Sequence, residues 1–141
     1  MPYLQESPLD PASLLAAVSA PGRGGICSFV GNVRDRHEGR SVVGLDYSAY
    51  GPMAEAAMGE ILAEAESRWP VRVAAEHRVG GLVVGEAAVV VAAAGAHRDE
   101  AFAACRYVIE ELKRRVPIWK RERYADGSEA WVDPTAGGEE G

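Results

Sequence analysis

From Ala87 to Ala94 the chain runs Ala-Ala-Val-Val-Val-Ala-Ala-Ala, without one polar side chain, between Gly85 and Gly95. A strand with one wet face alternates apolar and polar residues; a strand with neither must be covered on both sides. Eight residues suit a strand, and fall far short of the roughly 20 that a membrane helix needs. This segment therefore requires packing elements above and below it, within a chain of 141 residues, a length suited to one domain.

The apolar periodicity elsewhere supplies such elements. Tyr3 to Glu6 can form a short strand. Asp10-Pro11 is an N-cap followed by a first helical residue, with Leu14, Leu15 and Val18 on the apolar face; Gly22, Gly24 and Gly25 break the helix. Ile26 to Val30 is a short apolar strand, Gly31 to Arg40 (GNVRDRHEGR) a polar loop, and Val42 to Tyr47 a weakly alternating strand. Pro52 to Trp69 is helical, with Met53, Ala57, Ile61, Leu62 and Ala65 at helical spacing before Pro70 stops it. Val71 to Val79 is a strand, and Gly80, Gly81 and Gly85 mark turns. A helix over Arg98–Arg115 carries the stripe Ala101, Phe102, Cys105, Val108, Ile109, Leu112, and ends at Pro117. Ile118 to Tyr124 and Glu129 to Val132 flank Asp126-Gly127, a hairpin signal. The expected class is α+β, a single domain over residues 1–134 with a mixed sheet and a C-terminal hairpin, followed by a disordered tail over 135–141.

Charge narrows the function. The formal charge is −6, with 21 acidic against 15 basic residues, which argues against a general nucleic-acid binder. An aromatic content of 7% is too low for an RNA-stacking surface. The N-terminus MPYLQESPLD has no basic-then-apolar pattern of a secretion signal, so a cytoplasmic location is expected, with no membrane association. Cys27 and Cys105 lie in apolar settings without metal-ligand spacing and are expected to be buried thiols; no metal or cofactor is implied.

Against that acidic background, six of the fifteen cations fall between Lys113 and Arg123, in LKRRVPIWKRERY. The chain uses arginine for thirteen of its positive charges, and its two lysines, Lys113 and Lys120, are both here. A lysine ending a helix can simply snorkel toward the macrodipole. Arginine would do that equally well, whereas a lysine's pKa falls on burial, giving a proton donor or nucleophile. Lys120, Glu122 and Tyr124 share one face of their strand, and Arg121 and Arg123 the other. A local basic cluster on an acidic protein suits a small anionic ligand.

Two weaker constellations accompany it. Ala96-His97-Arg98 stands at a helix N-terminus, where free N–H groups favour an anion, although His97 could equally cap the helix. Phe29-Val-Gly-Asn-Val-Arg34 is a strand running into a glycine turn that carries Arg34 out on the loop. His37, in the same loop, is expected to be a mobile surface residue, and His77 to lie on a strand. At about 1.5 Å per residue, His97 and Lys113 stand roughly 24 Å apart at opposite ends of one helix. Either they serve separate sites, or one site takes His97-Arg98 from one subunit and Lys113-Lys120 from another.

The segments FVGNVR (29–34), AHR (96–98) and LKRRVPIWKRE (112–122), in that order, resemble the large, catalytic subunit of molybdopterin synthase. The resemblance runs from about Gly25 to Val132; the Lys-x6-Lys block with Pro-x-Trp-Lys-Arg-Glu is its most specific part. It implies an α/β hammerhead fold and a homodimer within a heterotetramer. It also implies a sulfurtransferase that installs a dithiolene on cyclic pyranopterin monophosphate. The sulfur would come as a thiocarboxylate on the C-terminal Gly-Gly of a ubiquitin-like small subunit. By the same resemblance Lys113 and Lys120 are catalytic, and Asn32, Val33, Arg34, His97, Arg98, Arg121 and Glu122 join them in binding substrate. Phe29 and Ile109 shape the pocket. The loop Asp35 to Arg40 and the first thirty residues match only in outline. The rival class is a non-catalytic dimeric adaptor that binds a ubiquitin-like tail or a phosphorylated small molecule.

Overall fold

The computed structural model describes residues 2–132. The tail expected over 135–141 lies outside them, as does the end of the expected domain. Twelve elements follow in the order β1 (Leu4–Gln5), α1 (Pro11–Val18), β2 (Gly25–Asn32), β3 (Arg36–His37), β4 (Arg40–Ala49), α2 (Gly51–Arg68), β5 (Val71–Arg78), β6 (Gly80–Val83), β7 (Ala87–Gly95), α3 (Arg98–Arg115), β8 (Ile118–Tyr124) and β9 (Glu129–Val132). They build two sheets. The first has the order β1-β5-β7-β2, antiparallel except for the β1–β5 pair; the second is antiparallel, β3-β4-β8-β9, with β6 also paired to β4. The α+β class with a C-terminal hairpin is as the sequence implied.

β7 occupies the interior position its composition demands. Val89, Val91 and Ala93 join the main core, whereas Val90, Ala92 and Ala94 pack against Leu14 and Val18 of α1 on the other face. The period of two along a strand divides one apolar run between two cores. α1 begins as expected: the Asp10 side chain accepts from the Ala12 amide at 3.1 Å, with Pro11 in the first turn. It ends at Val18, before the glycines: Ser19 is already extended (φ −72, ψ 143), one residue ahead of the Ala20-Pro21 pair, which disfavours helix.

α2 and α3 cover the other face of the first sheet with most of their expected stripes buried, Met53 and Phe102 being the exposed exceptions. The buried residues of α2 are Ala54, Met58, Ile61, Leu62 and Ala65, with Met53 58% exposed. Those of α3 are Ala101, Ala104, Cys105, Val108 and Leu112, with Phe102 also exposed. One residue is about 100° of helix, enough to carry Met53 and Phe102 from core to solvent. A bidentate pair ties the helices together: Arg115 Nη1 and Nη2 donate to the Glu64 carboxylate at 2.7 and 2.9 Å, and the Tyr107 hydroxyl adds a bond of 2.6 Å. The last turn of α3 is basic (Lys113, Arg114, Arg115) and its first acidic (Asp99, Glu100), both favourable to the macrodipole.

Two expected loops are strands. Gly80 and Gly81 open β6, which pairs with β4 from Gly44↔Val83 to Tyr47↔Gly80. β4 is thus flanked by β6 and β8 over the same residues, and Gly44 is where they crowd it: a Cβ there would lie 2.7 Å from the Leu82 carbonyl oxygen. The segment expected to be a polar loop over 31–40 contains the end of β2 and a tight hairpin, β3 to β4. Its two-residue connection is Glu38-Gly39, at φ 50 and 80, with His37 opposite Arg40. Positive φ at both central residues gives the turn whose twist matches that of the strands it joins.

Candidate functional site

β8 follows α3 after a two-residue break, and its alternation decides which charges go inside. Ile118, Lys120, Glu122 and Tyr124 are buried; Trp119, Arg121 and Arg123 are not. Lys120 and Glu122 are each only 3% exposed. They are opposite Tyr47 and Leu45 of β4, on the face that meets α3 and the end of β2. Buried charges of this kind persist only when paired and hydrogen-bonded. Here Lys120 Nζ lies 3.4 Å from Glu122 Oε2, while Glu122 Oε1 accepts from His37 Nδ1 at 2.6 Å and the Tyr124 hydroxyl at 2.8 Å. Burial alone would raise the Glu122 carboxyl; the His37 and Tyr124 hydrogen bonds and the Lys120 charge outweigh it and hold it below its ordinary value. Lys120 is lowered, chiefly by burial, against the pull of Glu122 and with help from the charges of Lys113 and Arg34.

Lys113, in the last turn of α3, lines a cleft of roughly 550 Å³ including its open mouth. Gly31, Asn32, Tyr47, His77, Ile109 and Leu112 are among its other walls. A smaller recess beside it is lined by Asn32, Val33, Arg34, Arg36, Tyr47, Lys120 and Glu122. Asn32 and Tyr47 belong to both, so the two lysines stand along one continuous wall, on an apolar floor with a few convergent polar groups. Gly31 closes the β2 side tightly: a Cβ would fall 2.9 Å from Val89 Cγ1 and 3.3 Å from the Phe29 ring. Phe29 therefore backs the wall, and Ile109 forms part of it.

Two wall residues were not singled out from sequence as part of a site. Tyr47 is buried, and burial followed by the Glu122 charge pushes its phenol upward. His77 donates from Nδ1 to the Arg78 carbonyl at 2.7 Å and meets the Tyr47 ring edge-on at 4.9 Å. Burial, then Lys113, lowers its pKa to about 4, which keeps the imidazole neutral at physiological pH. The signal available was a histidine on a strand otherwise rich in alanine and valine.

Other expected site residues lie elsewhere. His97 and Arg98 line a separate recess with Gly24, Gly25, Ala96 and Asp99, at the opposite end of α3 from Lys113. His97 occupies the N-cap position of α3 without a side-chain cap bond. Within one subunit they cannot meet Lys113. Arg121 points to the outer face of the second sheet, paired with Asp46 and Glu129 at 3.3 Å each and set over the Trp131 ring. It does not line the Lys120 recess in this subunit. His37, expected on a mobile surface, is 7% exposed, because the hairpin turns it inward onto Glu122.

Cys105 is buried and its thiol is pushed up to about 12 by burial and neighbouring Cys27, leaving no thiolate for chemistry at neutral pH. Cys27 is only half-buried. Among the described residues no cluster of three or more His, Cys, Asp or Glu could hold a metal ion, and no helix is long and apolar enough to cross a membrane.

Comparison with known proteins gives this arrangement a lineage. Residues 4–115 match the family model described as MoaE protein. The chain is 49% identical over 134 residues to molybdopterin synthase catalytic subunit 1 of Mycobacterium tuberculosis, covering 93% of this chain and 90% of that one. It superposes on the crystal structure of molybdopterin synthase from Staphylococcus aureus with a TM-score of 0.88 and 32% identity, over 93% and 96% of the two chains. A complex of subunits 1 and 2 of the molybdopterin-converting factor from Helicobacter pylori shares the fold (TM-score 0.75, 23% identity, 92% and 88% covered). The family model ends before β8, but the pairwise match to the mycobacterial protein spans nearly the whole chain. On sequence and on fold alike, this chain belongs to the MoaE protein family.

Proposed function

We propose that this chain is the catalytic subunit of a cytoplasmic molybdopterin synthase. In that role it transfers two sulfurs from a thiocarboxylated, ubiquitin-like small subunit to cyclic pyranopterin monophosphate. The observation that carries the proposal is the convergence of Lys113 and Lys120, the chain's two lysines, on one wall with Arg34 and Asn32. Relatives of this chain bear the name of that catalytic subunit, and a structural neighbour was solved as a two-subunit complex.

The chemistry follows from the wall. A phosphate-bearing substrate is drawn by Arg34 and the lysines. As the thiocarboxylate sulfur adds to a substrate carbon, negative charge develops beside fixed cations on a largely apolar floor, where such stabilisation is strongest. A lysine whose charge is disfavoured by burial can give a proton to that centre or hold the carrier's acyl group until water releases it. The protein's own thiols are not needed, since the sulfur arrives on the partner.

His97 and Arg98 enter through a second copy. In a homodimer, the recess at the N-terminus of α3 of one subunit completes the lysine wall of the other. Reconstitution with thiocarboxylated carrier and precursor tests the reaction. Wild type yields dithiolene and Lys113→Ala does not; absence of product with wild type, or undiminished product with the variant, sinks the proposal. Mixing Lys113→Ala with His97→Ala subunits tests the sharing. Mixed dimers keep one intact site and regain activity, whereas self-contained pockets leave the mixture dead.

A further inference from the structure

We propose that His37 is a positioning residue for Lys120, acting through the Glu122 carboxylate that both contact. The inference rests on the proposed role of Lys120. Its geometry is explicit. The two oxygens of Glu122 divide their work: Oε1 accepts from His37 Nδ1 and Tyr124, and Oε2 faces the Lys120 ammonium at 3.4 Å. An ionised carboxylate only accepts, so Nδ1 of His37 carries the hydrogen. With Oε1 fixed by two donors, Oε2 is held toward Lys120.

The support for His37 is itself braced. The Glu38-Gly39 turn returns the chain at once, and Arg40, directly opposite His37 in the hairpin and so on the same face, reaches the end of β8 where His37 reaches Glu122. The Arg40 guanidinium lies 3.6 Å over the Tyr124 ring, hydrogen-bonds Ser128 Oγ and pairs with Asp126 at 3.6 Å. Two further backbone bonds of 2.9 Å, from Val42 to the Asp35 carbonyl and from Ala125 to the Ser41 carbonyl, close the hairpin on itself and on the end of β8. The hairpin that carries His37 is thus locked to the end of β8 through Arg40 and through its own backbone, which fixes where the imidazole can reach.

The groups around Lys120 come from every side: Glu122 and Tyr124 on its own strand, Tyr47 on β4, Lys113 on α3, Arg34 after β2, and His37 on β3 through Glu122. Glu122 stays ionised where lysines titrate, so losing His37 acts through geometry. The carboxylate turns away, and the ammonium loses its fixed counter-charge.

The chain offers a direct probe, because Lys113 and Lys120 are its two lysines. Lysine labelled with 13C at Cε gives two signals in the full-length, untagged protein, and Lys113→Arg leaves one, which assigns them. In His37→Leu, which keeps bulk but removes the donor, the Lys120 titration midpoint moves down by about one pH unit. The Lys113 midpoint moves less. In His37→Asn, whose amide nitrogen can occupy the Nδ1 position, it returns to near the wild-type value. Tyr124→Phe, which removes the second donor to the same oxygen at almost constant volume, shifts Lys120 in the same direction and keeps the test decisive if the leucine variant does not fold. Dithiolene formation follows the titration, falling about tenfold in the leucine variant and recovering in the asparagine variant. Equal midpoints in wild type and both His37 variants, equal shifts in both, or a rate loss with an unmoved Lys120 signal would each overturn the proposal. If wild type makes no dithiolene while the signals behave as described, the functional proposal falls and the positioning of Lys120 stands.

Discussion

β7 and β8 are both buried strands, and they are buried for opposite reasons. Every residue of β7 from Ala88 to Gly95 is buried, and all are apolar or glycine. The buried face of β8 carries Lys120 and Glu122 between Ile118 and Tyr124. Taking an ion pair out of water costs several kcal/mol per ion before pairing returns any of it, and well-packed apolar residues would often do as well or better for stability. β7 is what a chain does to fold; β8 departs from that economy, and it does so beside Lys113 and Arg34.

The sharpest way to break this contrast is to exchange the consequences. Lys113→Ala and Lys120→Ala are expected to lower dithiolene formation by about 10²- to 10⁴-fold, measured in single-turnover reconstitution. Comparable turnover in these variants would reduce β8 to a structural oddity. Val91→Ala, deep in β7, should do the reverse. It removes buried methyl groups and destabilises by about 2 kcal/mol, read from denaturant titration, while each folded molecule keeps its activity.

A smaller effect sharpens the scaffold side. The Arg115 hydrogen bonds, then that from Tyr107, hold Glu64 down to about 2. A carboxyl whose folded pKa lies below its unfolded value stabilises above the unfolded value, near 4.3, and loses that contribution as pH falls toward 2. Glu64→Gln should therefore melt slightly below wild type at pH 7, with the gap closing at about pH 2. With its side chain 38% exposed, Glu64 contributes modestly. A gap that widens in acid would contradict the assignment.

The contrast also marks what was legible in the sequence. β7 was, because apolar composition without alternation has one structural solution. So was the inward face of β8, since strand alternation alone puts Lys120, Glu122 and Tyr124 together. His37 was not: its partner is 85 residues away, and nothing local in GNVRDRHEGR says which side chain turns inward. The hairpin that turns it relies on Glu38 at positive φ, a conformation a sequence pattern disfavours for glutamate. β6 was hidden for a related reason, its two glycines suggesting a turn where β4 needed a close neighbour. Met53 and Phe102 were misplaced by one residue because each stands next to the true stripe. The distance between His97 and Lys113 was readable from helix rise, and the two lie in separate recesses of the subunit.

The most direct test removes the buried charge of β8 while keeping its bulk. In Lys120→Met/Glu122→Leu the account predicts a protein that still folds, melting below wild type because His37 and Tyr124 lose their buried acceptor, and that forms no dithiolene in single-turnover reconstitution with thiocarboxylated carrier and precursor. Dithiolene formed at the wild-type rate by that folded double variant would contradict it.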